Sequence, residues 1–244
     1  MKTTEGYRLT IIVPVFDEED NMAALERRLS AFLPTCRVSA CVLFVNDGSR
    51  DRSGELMREA CARHEDFFYI DFARNAGLSA AIKAGFDAVR SEYAGYIDAD
   101  LQTSPEDFNL LLDAIADHSM AIGIRVKRND SLSKRLQSRF ANGFRRMMTG
   151  DDAVDTGCPL KIIRSDVARR IPMFKGMHRF LPALVMLQEG ASYVQVPVSH
   201  FPRTAGASKF SIWNRLAGPL MDCFAYRWMK KRYINYSISD SNID

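Results

Sequence analysis

The stretch Ala40-Cys-Val-Leu-Phe-Val-Asn46-Asp-Gly-Ser49 is apolar without alternation from Ala40 to Val45, then breaks into turn-forming residues. A strand with one wet face would alternate. A short uniform run marks a strand covered on both faces, the usual condition of a parallel sheet. Outward from it the pattern repeats. Leu9-Thr-Ile-Ile-Val-Pro-Val15 lies upstream, Phe67-Phe-Tyr-Ile-Asp-Phe72 and Tyr96-Ile-Asp98 downstream, and Met120-Ala-Ile-Gly-Ile124 reads as a fifth strand. Helical stripes fill the gaps: Leu25, Leu29, Phe32 and Leu33 after an opening at Asn21, a segment around 53–63, then Leu78, Ile82, Phe86 and Val89. Ser104 ahead of Pro105, Glu106 and Asp107 predicts a helix start, with a capping hydroxyl, proline in the first turn and acids near the positive helix end. The alternation predicts an α/β fold, an open, mainly parallel, Rossmann-like sheet with helices on both faces.

Beyond residue 130 the pattern loosens. Leu132, Leu136, Phe140, Phe144 and Met148 recur every four residues, which predicts a long helix over 131–148. Lys134, Arg135, Arg139, Arg145 and Arg146 take its other positions, facing water or lipid headgroups. Val194, Val196 and Val198 alternate with Gln195, Pro197 and Ser199 as a half-buried strand. From Ile212 to Tyr233 aromatics and Met mix with Arg215, Arg227, Lys230, Lys231 and Arg232. We expect one domain over 1–210 and a basic, aromatic helical extension over 211–244 that packs on it or meets an anionic membrane surface.

Composition narrows the class. With 47% hydrophobic and 26% charged residues in 244, wholesale disorder is excluded. No run approaches the roughly 20 apolar residues of a membrane-spanning helix, and the first residues lack an apolar leader. Five scattered cysteines without a CxxC pair fit a reducing compartment and no zinc site. The expected location is therefore the cytoplasm, with peripheral membrane contact open. Net charge is +3, but residues 1–100 carry 12 Lys/Arg against 17 Asp/Glu, and residues 101–244 carry 21 against 13. A basic second part suits an anionic partner or a solvated face. It carries no nucleic-acid reading motif, and a nucleic-acid partner is not expected.

In open α/β sheets ligands bind beyond the carboxyl ends of the strands, and polar residues cluster there: Asp17-Glu18, Asn46-Asp47-Gly48-Ser49, Arg74-Asn75-Ala-Gly77 and Asp98-Ala-Asp100-Leu-Gln102. No GxGxxG or GxxxxGK[ST] follows any strand, which argues against dinucleotide and P-loop sites. Asp98 and Asp100, two residues apart after an apolar strand, offer hard oxygen donors for Mg²⁺ or Mn²⁺, with Gln102 as a third, while an isolated DxD is also common turn chemistry. Asp47 suits a hydrogen bond from a base or ribose, or plain turn punctuation.

Pro14-Val-Phe-Asp-Glu-Glu-Asp-Asn21, Val45-Asn-Asp-Gly-Ser-Arg-Asp51, Arg74-Asn-Ala-Gly77 and Asp98-Ala-Asp-Leu-Gln102, in this order, resemble the successive motifs of family 2 glycosyltransferases, whose fold is GT-A. Asp155-Thr-Gly-Cys-Pro-Leu-Lys161, His178-Arg-Phe180, Val196-Pro-Val-Ser-His-Phe-Pro-Arg203 and Gly206-Ala-Ser208-Lys209-Phe210 look like the dolichyl/polyprenyl-phosphate sugar transferases within it. The resemblance spans about 9–210. It implies that Pro14, Phe16, Glu18, Asp47 and Asn75 bind the nucleotide part of a nucleoside-diphosphate sugar, and that Asp98, Asp100 and Gln102 hold the divalent metal. It places Arg125 at the phosphates, and Arg203, Ser208 and Lys209 over donor and acceptor phosphates, where Arg is bidentate and Lys a point charge. The chain departs from the family's usual Gly-Phe-Arg or Gly-Phe-Lys in reading Gly157-Cys-Pro-Leu-Lys161, and it lacks the paired membrane helices of many relatives.

The implied chemistry is inverting transfer from a UDP- or GDP-sugar to a polyprenyl phosphate. That acceptor is ionised at neutral pH and demands no strong base. The alternatives are transfer to a saccharide or other soluble acceptor with Asp155 as base, and a non-catalytic nucleotide-sugar-binding scaffold.

Overall fold

The computed structural model describes residues 3–126, 143–202, 217–236 and 239–240. Arg203, Ser208 and Lys209, and the expected helix before residue 143, lie outside the described residues. The described strands are β1 (Leu9–Val15), β2 (Ala40–Asn46), β3 (Phe67–Asp71), β4 (Tyr93–Tyr96), β5 (Met120–Arg125), β6 (Lys161–Arg164) and β7 (Tyr193–Val198), in one sheet ordered β3-β2-β1-β4-β6-β5-β7. Neighbours run parallel except β6, which is antiparallel to both β4 and β5.

The uniform apolar runs become the central strands: every residue of β2 is buried, and all of β1 except half-buried Pro14. Proline is tolerated there because β4 pairs with β1 only as far as Ile12, so the N–H that Pro14 lacks has no ladder partner to lose. One face of the sheet is covered by α1 (Glu19–Phe32), α2 (Ser53–Arg63) and α4 (Phe108–Ala114), with Phe32 against Phe108 and Phe44 against Phe67 at ring-centroid distances of 6.2 and 5.6 Å. The other face is covered by α3 (Leu78–Ala88), α5 (143–149), α6 (Ser165–Arg169), α7 (Leu181–Val185) and α8 (Ala217–Lys230). Each fully buried Leu, Ile or Phe contributes about 1.5–3 kcal/mol, which is why local pattern and tertiary position agree so closely in this sheet.

Several expectations are corrected. β4 ends at Tyr96, so Asp98 stands on a loop two residues past the strand. α1 begins at Glu19, ahead of Asn21. Ser104 does not cap α4; a 3-10 turn over Pro105–Asp107 intervenes, and the Ser104 hydroxyl donates to the Glu106 carboxylate and accepts from Arg28 at 3.1 Å. Arg145 faces neither water nor headgroups. It is buried, donating to both Asp151 oxygens at 2.6 and 2.5 Å and to the Ala153 carbonyl, because α5 turns sharply back into the core at residues 150–153. α8 packs on the sheet's second face through buried Cys223, Tyr226 and Met229.

Candidate active site

The carboxyl ends of the six like-directed strands share one rim, and reversed β6 brings its first residue, Lys161, to that rim opposite Tyr96 of β4. At the β1 and β2 ends the two loops are laced together. Asp17, at φ +50°, donates its N–H to Ser49 Oγ (3.0 Å) and accepts from the Arg50 N–H (2.8 Å). The Glu18 N–H donates to Ser53 Oγ (2.8 Å), and its carboxylate takes the Asn21 amide (2.6 Å). Half-buried Phe16 carries the Arg50 guanidinium 5.7 Å from its ring centre.

Asp47 is buried, and its carboxylate is filled by the loop before α3. Oδ1 accepts from the Ala76 N–H (2.7 Å) and Gly77 N–H (3.1 Å); Oδ2 accepts from Gly77 again (2.9 Å) and from the exposed Asn75 amide (2.8 Å). It meets a ribose or base only by giving up one of these bonds. Gly48 makes the approach possible: at φ +65°, a Cβ there would sit 2.5 Å from the backbone of Arg74 and Asn75.

At the β4 end the Tyr96 hydroxyl donates to Asp98 Oδ1 (2.5 Å), and the Gln102 N–H donates to Asp100 Oδ1 (3.1 Å). Between them Leu101 is held at φ +59°, a strained conformation for a bulky residue, of the kind that survives where surrounding contacts over-determine the loop. Burial, with the neighbouring Asp100 charge, pushes the Asp98 carboxyl up to about 6 against the opposing pull of the Tyr96 hydroxyl, Lys161 and Arg125. A carboxylate buried beside a second one is a donor set short of positive charge, which a hard divalent cation would supply. Among the described residues no group of three or more His, Cys, Asp or Glu is arranged to hold a metal ion, so a metal here would rest on two carboxylates and an amide and take its other ligands from elsewhere. The Gln102 carbonyl also accepts from the Phe201 N–H (2.8 Å) and lies 3.2 Å from His200 Nδ1, tying the chain two residues before Arg203 to this loop.

Arg125, the last residue of β5, is paired face to face with Asp155: Nε to Oδ2 at 2.7 Å and Nη2 to Oδ1 at 2.8 Å, both side chains largely buried. Lys161 is fully buried, donates to the Cys158 carbonyl and lies 5.4 Å from the Tyr96 ring centre; burial lowers its pKa. On the α3 side the Ser79 hydroxyl accepts N–H bonds from Gly176 (3.1 Å) and His178 (3.4 Å), so its proton goes to His178 Nδ1 (2.8 Å). The ring is thereby a neutral Nε2–H tautomer, and burial holds its pKa near 3.

The structure thus brings Pro14, Phe16, Glu18, Asp47, Asp98, Asp100, Gln102 and Arg125 to the carboxyl ends of β1, β2, β4 and β5 and the loops that follow them, with Asn75 in the loop after β3 and Asp155 in the segment before β6. The supporting roles of Tyr96, Lys161 and Ser79 were not anticipated. Tyr96 had a signal, being two residues from Asp98 on an alternating segment; the burial of Lys161 had none, because it depends on an antiparallel strand inserted between β4 and β5.

Residues 10–171 match the family model described as glycosyl transferase family 2. The chain is 32% identical over 206 residues to an undecaprenyl-phosphate 4-deoxy-4-formamido-L-arabinose transferase of Edwardsiella ictaluri, covering 84% of this chain and 63% of the relative. It is 30% identical over 213 residues to a dodecaprenyl-phosphate galacturonate synthase of Rhizobium johnstonii, covering 85% and 63%. The chain therefore spans less than two-thirds of the length of these relatives. In fold it is similar to glucosyl-3-phosphoglycerate synthase of Mycobacterium tuberculosis, solved with Mn²⁺, UDP-glucose and phosphoglyceric acid, with a TM-score of 0.64 at 11% identity over 92% of this chain and 80% of that one.

Proposed function

The chain belongs to glycosyl transferase family 2 and has its GT-A fold, and from that premise we propose that it is an inverting, metal-dependent enzyme moving a sugar from a UDP- or GDP-sugar to the phosphate of a polyprenyl lipid. The observation that carries this reading is the Asp98–Asp100 pair, held in a strained loop beside the Arg125–Asp155 pair and bonded through Gln102 to the segment leading to Arg203. The naming of both relatives as polyprenyl-phosphate sugar enzymes supports the acceptor class. Crystallisation of a structural neighbour with Mn²⁺ and UDP-glucose supports the donor class and the metal.

Pro14, Phe16 and Glu18, with the Asp47–Asn75 loop, form the nucleotide side of the rim. Asp98, Asp100 and Gln102 would hold Mg²⁺ or Mn²⁺, which when bound supplies Lewis-acid neutralisation of the charge growing on the departing diphosphate. Tyr96 fixes the rotamer of Asp98. Arg125, paired with Asp155, would stand at the donor phosphates with its remaining N–H donors, and Arg203, Ser208 and Lys209 would close over donor and acceptor phosphates, stabilising charge where it develops. A phosphate acceptor is already ionised, so no residue needs to remove a proton from it. Transfer to a hydroxyl acceptor would ask Asp155 to act as base, and both Asp155 oxygens are engaged by Arg125. The reaction then takes place at the cytoplasmic surface of a membrane; among the described residues no helix is long and apolar enough to cross one.

The test is incubation with Mn²⁺ or Mg²⁺, a panel of UDP- and GDP-sugars and a short polyprenyl phosphate, reading glycolipid. We expect product from one donor, falling about 10²–10³-fold in Asp100→Ala, the scale of losing one charge-stabilising group. Donor binding without lipid product would overturn the acceptor.

A further inference from the structure

α8 is apolar on the side turned to solvent. Its inward side holds the buried Cys223, Tyr226 and Met229, with the Tyr226 hydroxyl donating to the Ala183 carbonyl at 3.1 Å. At 3.6 residues per turn, Leu220, Met221, Phe224 and Trp228 gather opposite that face, and they are 45, 68, 57 and 63% exposed. A surface helix ordinarily places its polar residues there. Just past the helix, Ile234 and Tyr236 are exposed as well. Cations flank the apolar patch: Arg227, Lys231 and Arg232 are exposed, with the Arg232 guanidinium 5.3 Å from the Trp228 ring centre, while the Lys230 ammonium turns back to the Thr149 carbonyl at 3.3 Å. The one acid in 217–236, Asp222, is half-buried on the inward flank, close enough to Gly176 that a Cβ there would meet its Oδ2 at 2.7 Å.

We propose that this face of α8 seats on an anionic lipid bilayer, the four apolar side chains entering the acyl boundary and the flanking cations meeting headgroup phosphates. The charge pattern selects this occupant. A second copy docking through the same patch about a two-fold axis would bring three cations against three cations with no acid to answer them, whereas anionic headgroups complement them.

The inward side of α8 lies near the rim. Asp222 touches Gly176, Gly176 and His178 both bond to Ser79 in the first turn of α3, and the loop before α3 is the one pinned by Asp47. A bilayer seated on α8 would then hold the rim near the surface in which a lipid phosphate resides. In that respect the inference rests on the proposed reaction, but its test does not.

The full chain is sedimented with vesicles of phosphatidylcholine alone and of phosphatidylcholine with 30% phosphatidylglycerol, without substrates. We expect binding to the anionic vesicles roughly tenfold or more above the neutral ones, weakening as salt rises. Phe224→Glu with Trp228→Glu abolishes it with an unchanged melting temperature, and Lys231→Glu with Arg232→Glu removes the preference for anionic lipid. Undiminished binding of the first variant, absence of wild-type binding, or a dimer in sedimentation velocity that the first variant dissolves would each overturn the proposal. Mn²⁺-dependent binding of UDP or GDP in solution, measured on the same variants, reports the proposed function separately, because these residues lie outside the nucleotide rim.

Discussion

On the β1–β3 side of the rim, the loop carboxylates are satisfied by loop donors, mostly backbone N–H groups: Asp47 by residues 75–77, Asp17 by Arg50, Asp51 by Glu19 and Ser53; Asp71, at the end of β3, is the exception, meeting the Arg58 side chain. On the β4–β6 side they face side-chain cations: Asp155 meets Arg125, and Asp98 lies in the field of Lys161 and Arg125. A carboxylate bonded to backbone shapes a loop and has little left to exchange. A carboxylate balanced by mobile or partial charge can trade its partner for another. The first side is thus built as a mould, and the second as a place where the charge of a metal and a diphosphate can be accommodated.

The sharpest way to break this contrast is Arg125→Met, which leaves Asp155 buried without its cation. Urea unfolding should show a loss of about 3–5 kcal/mol, with most of it recovered in Arg125→Met/Asp155→Leu, because a buried pair replaced as a unit is nearly neutral. A double variant as unstable as the single one would mean that the pair stabilises in its own right. Next comes Asp47→Ala. Charge-assisted hydrogen bonds are worth about 1.5–3 kcal/mol, and the loss here should appear as faster amide exchange at Ala76 and Gly77, with the distant Asp98 loop unaffected. Gly48→Ala should cost about 1–3 kcal/mol through strain at positive φ and collision with the 74–75 backbone; a neutral result would show that this loop yields.

An effect seen only on acidification follows from His178. Its folded pKa, near 3, lies below the ordinary 6.5, so across that window the unfolded chain binds the extra proton. Its contribution to stability is complete above pH 6.5 and is lost as pH falls toward 3, with a slope of at most about 1.4 kcal/mol per pH unit. His178→Gln should flatten that part of the pH profile. The smallest effect is expected away from the rim at the exposed Arg8–Glu92 pair, where Arg8→Ala should change stability by under about 1 kcal/mol.

The same contrast explains what was legible in the sequence. β1 to β3, α2 and α3 follow from runs and stripes set by neighbours along the chain, and the strand-end positions of Asp47 and the Asp98 loop follow with them. The reversed β6 could not be found this way: Lys161-Ile-Ile-Arg164 is too short for a periodic signal, and its direction is decided by β4 and β5, far away in sequence. Arg145 looked like one more cation on a basic helix because its partner, Asp151, lies past the turn that ends α5. Ser104 carried every local sign of a cap, yet side-chain neighbours claimed its hydroxyl. Local chemistry fixed the mould, and distant partners fixed the charges.

In the proposed reaction the Asp98–Asp100 loop would hold a donor diphosphate through a divalent cation. Titrating UDP and GDP into the protein by calorimetry, with Mn²⁺ and again with EDTA, tests it most directly. One nucleotide should bind with Mn²⁺, its affinity should fall at least tenfold with EDTA, and Asp98→Asn with Asp100→Asn should match the EDTA result. Equal affinity in Mn²⁺ and EDTA, or a double variant that binds as wild type does, would contradict it.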